Sequence, residues 1–279
     1  MIKYQENKNA VIQKVEIDLT KIPVKNRQDL ESKIAEVRSE YNNILEYDKR
    51  NNKLVYKTEV LIPEVINEGR LNLLMVLGNP AIHSVARGMF FSYEKARSKE
   101  GKENWREHRF WKALRDCRVL TFYKDVEKPT PENIKRINEY KRDCLLNGNY
   151  HSEFNIFLLT YFSFPTPSSG KYSGVDEIPK IVSKDVFAEM KRSEFQRFER
   201  IVLSHNIKNI ICFQQHALKE IVQRTECKEI DNIEGNPVYE LDDALKHVLL
   251  YKAAPTRYLH TDKGKRVLEA ILADIKKTR

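Results

Sequence analysis

Short apolar runs alternate with amphipathic segments along most of this chain. The first apolar run is Leu71–Leu77, and similar runs occupy residues 156–160, 209–213 and 247–251. Between and after them, apolar residues recur every three or four positions, which is the helical period. These helical segments cover residues 107–117, 131–147, 183–206, 216–225 and 263–277. Short buried strands alternating with amphipathic helices predict a parallel sheet covered on both faces. We therefore expect a three-layer α/β/α domain with a central four-stranded parallel sheet over residues 71–279.

Residues 1–70 have a different pattern, because they are highly charged and poor in glycine. Residues 27–47 read as one amphipathic helix, with Leu30, Ile34 and Val37 on one face. Residues 53–62 alternate between apolar and polar side chains like a strand. We interpret residues 1–70 as an N-terminal elaboration that packs on the main domain.

Charge adds a candidate partner. The 279 residues carry a formal net charge of +9, which favours binding to a polyanion such as nucleic acid, although a basic surface without that role is an equal alternative.

No apolar run reaches the roughly 18 residues of a membrane span, and the first residues lack the apolar stretch of a signal peptide. We expect no membrane association and a cytoplasmic or nucleoid-associated protein. The widely spaced cysteines give little support for a metal site.

Ligands bind beyond the carboxyl ends of the strands in parallel sheets, so the segments after the strands are the places to search. The first strand ends in Leu77-Gly78-Asn79-Pro80, and Gly88-Met89-Phe90-Phe91 begins nine residues after Asn79. A carboxamide beside an aromatic ring suits a flat, hydrogen-bonding ligand such as a nucleobase. The chain has no glycine motif for binding nucleotide phosphates and no Ser-His-Asp set for acyl transfer. It also has no carboxylate pair at the spacing that glycosidases use on sugars. These three functions therefore have little support.

Several motifs together resemble the uracil-DNA glycosylase superfamily, nearest to its mismatch-specific uracil- and thymine-DNA glycosylase branch. In that branch the first strand ends in Asn-Pro-Gly, Gly-x-Pro-Phe begins nine residues after that Asn, and Asn-Arg-Phe-Trp opens a helix. A His/Asn-Pro-Ser loop follows its fourth strand. The corresponding segments of this chain are Asn79-Pro80-Ala81, Gly88-Met89-Phe90-Phe91, His108-Arg109-Phe110-Trp111 and Ala254-Pro255-Thr256. The resemblance covers roughly residues 71–279.

The resemblance implies a role for each matching residue. Asn79 would orient the attacking water, and Phe91 would stack on the base, with Gly78 and Pro80 in the same binding turn. Phe162 opens the loop of residues 162–169 after the second strand, which would form a pocket wall. Taken alone, Asn79 can equally cap a turn before Pro80, and Phe91 can be a core residue.

The departing base needs hydrogen-bond donors. Ala254 stands where relatives carry His or Asn, so that donor is missing here. His83 and His260 are side-chain candidates to replace it, although either can be an ordinary loop histidine. Backbone N–H groups near Ala81 and Ile82 are further candidates.

DNA contacts are expected from the loop after the fourth strand. Pro255 and Thr256 would lie at a phosphate, and Arg257 would contact a phosphate or the orphaned base. Tyr258 stands where relatives insert a wedge into the duplex, and His260 belongs to the same loop. Ser84 is a further candidate for a phosphate contact. An ordinary surface loop is the alternative. A basic insert at residues 92–107 would track the DNA backbone, or would form a solvated charged helix because acidic residues are interleaved. Its cations are Lys95, Arg97, Lys99, Lys102 and Arg106.

These observations predict a monomeric DNA repair glycosylase that hydrolyses the N-glycosidic bond of uracil or a related deaminated or mismatched base, without a metal or cofactor. Ala81, which replaces the motif glycine, and Ala254 motivate an alternative. That alternative is a catalytically weak or inactive relative that binds nucleic acid or a nucleotide. A third hypothesis is an enzyme that acts on free nucleosides or nucleotides.

Overall fold

The computed structural model describes residues 2–5, 11–20, 27–39, 41–97, 103–123 and 129–277. The protein is mixed α/β, as the sequence predicts. The strands are β1 (Ile2–Gln5), β2 (Ile12–Asp18), β3 (Leu45–Asp48), β4 (Lys53–Leu61), β5 (Leu71–Leu77), β6 (Glu94–Arg97), β7 (Glu103–Arg106), β8 (Thr121–Phe122), β9 (Tyr150–His151), β10 (Phe154–Thr160), β11 (Asn209–Cys212), β12 (Cys227–Ile233), β13 (Asn236–Leu241) and β14 (Val248–Lys252). The helices are α1 (Arg27–Arg38), α2 (Ile82–Ala86), α3 (Arg109–Asp116), α4 (Ile134–Leu146), α5 (Ile178–Val182), α6 (Lys184–Ser204), α7 (Gln215–Arg224) and α8 (Asp262–Lys277).

One mixed sheet organises the described part of the chain. Nine strands follow one another in the order β1-β2-β4-β10-β5-β11-β14-β13-β12, and β3 pairs with β4 as the tenth. The four strands predicted from apolar runs, β10, β5, β11 and β14, are neighbours and pair in parallel. Antiparallel strands extend the sheet on both sides, through β4 and through β13. The predicted four-stranded sheet is therefore too small, because the flanking strands are partly solvated and lack the continuous apolar runs by which buried strands are recognised.

Helices cover the central strands on both faces. Successive side chains of β5 point to opposite faces, so Leu73, Met75 and Leu77 pack in a core with α3 and α8. Leu74 and Val76 pack on the other face, in a core with α1, α5, α6 and α7. This burial on both faces explains why β5 is apolar from Leu73 to Leu77. Parallel pairing with β10 and β11 places the carboxyl ends of these strands at the same edge of the sheet.

The predicted helix over residues 27–47 is wrong beyond Arg38. Helix α1 ends there, and Ser39 has a φ of 45°, in the left-handed region that terminates helices. The chain then turns back, and β3 pairs with β4 from Leu45 to Asp48. Pairing with an existing strand outweighs the helical spacing of Tyr41 and Ile44, because local propensity is a weak preference that tertiary contacts override.

Strand β4 connects the N-terminal segment to the central sheet. It pairs with β2 from Lys53 to Glu59 and with β10 at Val60 and Leu61. The described part of residues 1–70 therefore contributes strands to the same sheet as residues 71–279.

The described part of the basic insert forms two paired strands and not a helix. Strand β6 (Glu94–Arg97) pairs antiparallel with β7 (Glu103–Arg106), while Lys99 and Lys102 lie outside the described residues. Contact of this insert with DNA stays a prediction. Among the described helices, none is long and apolar enough to cross a lipid bilayer.

Candidate active site

A cavity of about 650 Å³ lies beyond the carboxyl ends of the central parallel strands. The segments that follow β5, β10, β11 and β14 all contribute to its wall. Of the predicted site residues, nine line it: Gly78, Asn79, Pro80, His83, Ser84, Phe91, Pro255, Thr256 and Arg257. The structure thus brings the amide of Asn79 and the ring of Phe91 to one cavity, as the spacing of the two motifs predicts.

The side chain of Asn79 is held in one orientation by the loop that follows β10. Its Nδ2 donates to Thr166 Oγ1 at 2.7 Å and to the Phe164 carbonyl at 3.4 Å. Thr166 is itself buried and accepts a further hydrogen bond from the Gly174 N–H. No described residue donates to Oδ1 of Asn79, so this oxygen is available to accept a hydrogen bond from water. The role of Thr166 was missed, because the two residues are 87 positions apart in the sequence.

Phe91 belongs to an aromatic wall. Its ring stacks on His108 with a centroid distance of 4.4 Å and an interplanar angle of 20°, and it also contacts Phe110 at 4.5 Å. The φ of Phe91 is 46°, which is unfavourable for a bulky side chain. The Trp111 indole N–H donates to the carbonyls of Phe90 and Phe91 and holds this conformation in place. His108 also lines the cavity, so two stacked rings form this part of the wall.

Two histidines of the wall, His83 and His108, are neutral at pH 7. Burial, and then the nearby Arg87 cation, lower the pKa of His83 to about 4. Burial, and then the charges of His83 and Arg109, lower the pKa of His108 to about 4. His108 accepts a hydrogen bond from the Phe110 N–H through Nδ1 and thereby caps α3. A neutral His83 still carries one N–H that can donate to a ligand in the cavity.

The loop after β14 forms the mouth of the cavity. Pro255 and Arg257 are exposed there, and Thr256 begins a short 3₁₀ turn. Tyr258 is 49% exposed, and the Arg257 guanidinium lies 4.8 Å from the centre of its ring. Tyr258 and His260 are exposed but do not line the cavity. Both are placed where a macromolecule covering the mouth can contact them.

Several predicted roles do not fit the positions found. Phe162 is 2% exposed and packs with Tyr161 and Phe187 in the core on the other face of the sheet, so it is not a cavity wall. Ser84 lines the cavity but is only 3% exposed, so its hydroxyl is too deeply buried to contact a phosphate outside the mouth. The Ile82 N–H donates to the Thr166 carbonyl and is not available to a departing base.

The segment after β11 is a part of the wall that the sequence analysis did not consider. Gln214, Gln215 and His216 line the cavity, and His216 Nε2 lies 3.4 Å from Asp176 Oδ1. Gly78 makes room for this segment, since a Cβ at Gly78 would lie 3.1 Å from Gln214 Cγ. The rule that ligands bind beyond the strand ends applies to β11 as well and was sufficient to identify it.

A buried acid is the second feature that the sequence analysis missed. Glu59 of β4 lines the cavity and is 2% exposed, and its Oε1 has no hydrogen-bond partner among the described residues. No signal in the local sequence marks it, because Glu59 occupies one position in an alternating strand that contains several charged residues.

The described residues contain no group of three His, Cys, Asp or Glu side chains that could hold a metal ion. The side chains that line the cavity carry amides, imidazoles, carboxyl groups, hydroxyls, aromatic rings and one guanidinium group.

Comparison with known proteins adds no identification. No protein-family model matches the chain, and no curated protein matches it. The resemblance to the uracil-DNA glycosylase superfamily stays a prediction from the residues quoted above.

Proposed function

We propose that this protein is a DNA glycosylase that removes uracil, or a related deaminated or mismatched base, by hydrolysis of the N-glycosidic bond. The observation that carries the proposal is the cavity shared by Asn79 and Phe91, in which the amide oxygen has no partner among the described residues and the ring is part of an aromatic wall. A flipped base requires such a slot, with a flat apolar surface and polar groups near its edge.

The geometry supports a simple hydrolytic step. Asn79 Oδ1 accepts a hydrogen bond from a water molecule and orients it towards C1′ of the deoxyribose. The water oxygen bonds to C1′ as the bond from C1′ to the base nitrogen breaks, and the base leaves with the electron pair of that bond. The proton of the water finally goes to the departing base. Positioning the water contributes most, because a cation-like sugar needs little basicity at the nucleophile.

His83 is the side chain that the geometry favours for stabilising the departing base. It lines the same cavity as Asn79, and its neutral imidazole can donate one hydrogen bond to the negative charge that develops on the base. This contribution would replace the polar group that is absent at Ala254.

The mouth of the cavity suits DNA. Arg257 and Tyr258 are exposed beside it, and the chain carries a net charge of +9. Arg257 supplies charge for a phosphate, and Tyr258 supplies a ring that can occupy the space left by the flipped base.

The test is base release from synthetic duplexes that contain uracil opposite guanine or adenine, and from a uracil-containing single strand. Alkali cleaves the strand wherever a base has been removed. We expect scission with the wild-type protein and a loss of at least about 100-fold in rate for Asn79→Ala, since misplacing the attacking water costs that much. Asn72→Ala is the matched control, because it removes the same side chain from the opposite end of β5. An absence of scission on every substrate would contradict the proposal.

A second candidate is a related protein that binds nucleic acid without excising a base. Ala254 favours it, because this residue packs against the core and supplies no polar group. This candidate predicts DNA binding that survives Asn79→Ala and no base release from any substrate.

A further inference from the structure

Glu59 is a polar group of the cavity to which the proposed reaction assigns no role. Its neighbour across the sheet is Thr160, whose hydroxyl donates to the backbone carbonyl of Glu59 at 2.7 Å. Leu61, two residues further along β4, packs in the same core as Leu77 and Phe90. Because side chains at positions i and i+2 of a strand share a face, the Glu59 carboxyl group projects to the side of the sheet on which Asn79 and Phe91 line the cavity.

The environment of this carboxyl group is unusual for a structural acid. Glu59 is 2% exposed, and its Oε1 lacks a partner among the described residues, although buried polar atoms in folded proteins are nearly always hydrogen-bonded. Its neighbours do not supply a described hydrogen bond to Oε1, since the Thr160 hydroxyl is directed at the backbone and the Thr58 hydroxyl lies 3.3 Å from that of Thr160. A buried carboxyl oxygen without a described partner, on a residue that lines the cavity, points to a ligand as the partner of the carboxyl group.

Burial raises the pKa of Glu59 well above its ordinary value, and no charged group contributes to this shift. The titratable and charged residues elsewhere in the wall are His83, His108, Asp176, His216 and Arg257. A neutral carboxyl group carries one O–H donor and one carbonyl acceptor side by side. This pair is complementary to a lactam edge, in which a ring N–H stands next to a carbonyl oxygen.

We propose that the Glu59 carboxyl group reads the edge of the bound base and selects bases that present a lactam, with the N3–H and O4 of uracil as the simplest case. The inference rests on the proposed function and adds a specificity-determining residue to it. The carbonyl oxygen of Glu59 accepts from the ring N–H of the base, and its O–H donates to the neighbouring carbonyl oxygen. The acid comes from β4 in the N-terminal segment, so this segment contributes one residue to the pocket.

The experiment compares uracil with 3-methyluracil in otherwise identical duplexes. The methyl group removes the N–H donor and occupies the position of the Glu59 oxygen. We expect the wild-type protein to excise uracil at least about 10-fold faster than 3-methyluracil, which corresponds to the loss of one buried hydrogen bond. Equal rates on the two substrates would overturn the inference whether or not any variant folds.

Two variants separate recognition from packing. Glu59→Gln keeps a donor and an acceptor in nearly the same shape, and should stay within about 3-fold of the wild type in rate and in preference. Glu59→Leu keeps the volume but removes both polar atoms, and should lose the preference for uracil. Thr58→Val is the control, because Thr58 is buried next to Glu59 but does not line the cavity. Thermal melting establishes that each variant is folded.

The outcomes distinguish the inference from the function on which it rests. A folded Glu59→Leu protein that retains the wild-type preference, or a folded Glu59→Gln protein that loses it, overturns base reading by Glu59. An absence of base release by the wild type from every substrate instead overturns the proposed function. In that case, the affinities of the wild type for duplexes that contain uracil and for duplexes that contain 3-methyluracil are compared. Equal affinities would overturn base reading by Glu59.

Discussion

At the scale of single residues, the candidate site depends on the hydrogen bonds that orient Asn79. Thr166 holds the amide nitrogen at 2.7 Å, which leaves the amide oxygen as the atom available to water. Thr166 does not line the cavity, and its hydrogen bond connects the loop after β10 to the end of β5. On the proposed function, Thr166 is a positioning residue that acts through Asn79.

We expect Thr166→Val to lower kcat by about 10-fold or more with little change in KM. Valine has nearly the same shape but cannot accept from Asn79 Nδ2, so the amide loses its fixed orientation. Thr166→Ser keeps the hydroxyl and should restore kcat. Steady-state kinetics on a uracil-containing duplex measures both values. A Thr166→Val protein that melts at a lower temperature but keeps its kcat would show that Thr166 is structural only.

The neutral histidines predict a dependence of stability on pH. The pKa of His108 is lowered to about 4 in the folded state, from about 6.5 in an unfolded chain. The unfolded state therefore binds more protons between these values, and folding stability falls as the pH decreases from about 6.5 to about 4. The stabilisation is fully present above about pH 6.5. At about 1.4 kcal/mol per pKa unit, His108 accounts for about 3 kcal/mol at most.

Urea unfolding of the wild type and of His108→Asn between pH 4 and pH 7 measures this effect. Asparagine at this position keeps a side-chain oxygen for the Phe110 N–H but removes the titrating ring. We expect a smaller loss of unfolding free energy on acidification for His108→Asn than for the wild type. Equal losses in the two proteins would mean that His108 does not titrate with a lowered pKa.

At the scale of elements, the loops after four parallel strands are brought together because parallel strands end at the same edge of a sheet. The last of these loops is also held by the following helix. Gly264 lies in the first turn of α8, and a Cβ there would come 2.4 Å from the Tyr258 carbonyl oxygen. The backbone of the exposed turn that carries Arg257 and Tyr258 therefore packs directly on α8.

We expect Gly264→Ala to destabilise the protein by about 1–3 kcal/mol, the usual cost of an added methyl group in a tightly packed site. The helix propensity of alanine favours the opposite result by about 1 kcal/mol, so the sign of the change is informative. Thermal or urea unfolding measures it, with Lys263→Ala at the neighbouring exposed position as the control. A more stable Gly264→Ala protein would contradict the close packing of this turn.

At the scale of the whole molecule, the net charge of +9 and the exposed mouth of the cavity predict binding to DNA that weakens as salt is added. Each phosphate contact contributes about 0.9 to the slope of log K against log salt concentration. On the proposed function, phosphate contacts at the mouth would position the duplex, and contacts inside the cavity would select the base.

We expect Arg257→Ala to reduce this salt slope by about 1, because one phosphate contact is removed. Lys135→Ala is the control, since its exposed side chain belongs to α4 and does not line the cavity. Fluorescence anisotropy with a labelled duplex at several salt concentrations gives both slopes. A salt slope for Arg257→Ala equal to that of the wild type would mean that Arg257 does not contact a DNA phosphate.

The sequence by itself determined the central strands and much of the cavity that follows them. Apolar runs identify β5, β10, β11 and β14, because strands buried on both faces must be apolar along their length. The spacing of Asn79 and Phe91 predicted that they share a cavity, since they lie in one short segment at the end of one strand. These are properties of residues close together along the chain.

Tertiary structure alone decided the rest. Two features depend on partners that the local sequence does not specify. They are the end of α1 at Arg38 and the burial of Phe162 in the opposite core. Thr166 reaches Asn79 across 87 positions, and Glu59 enters the cavity because Thr160, 101 positions away, pairs beside it. Strand pairing over such separations is set by the sum of many packing contacts, and no single residue in the sequence carries that information.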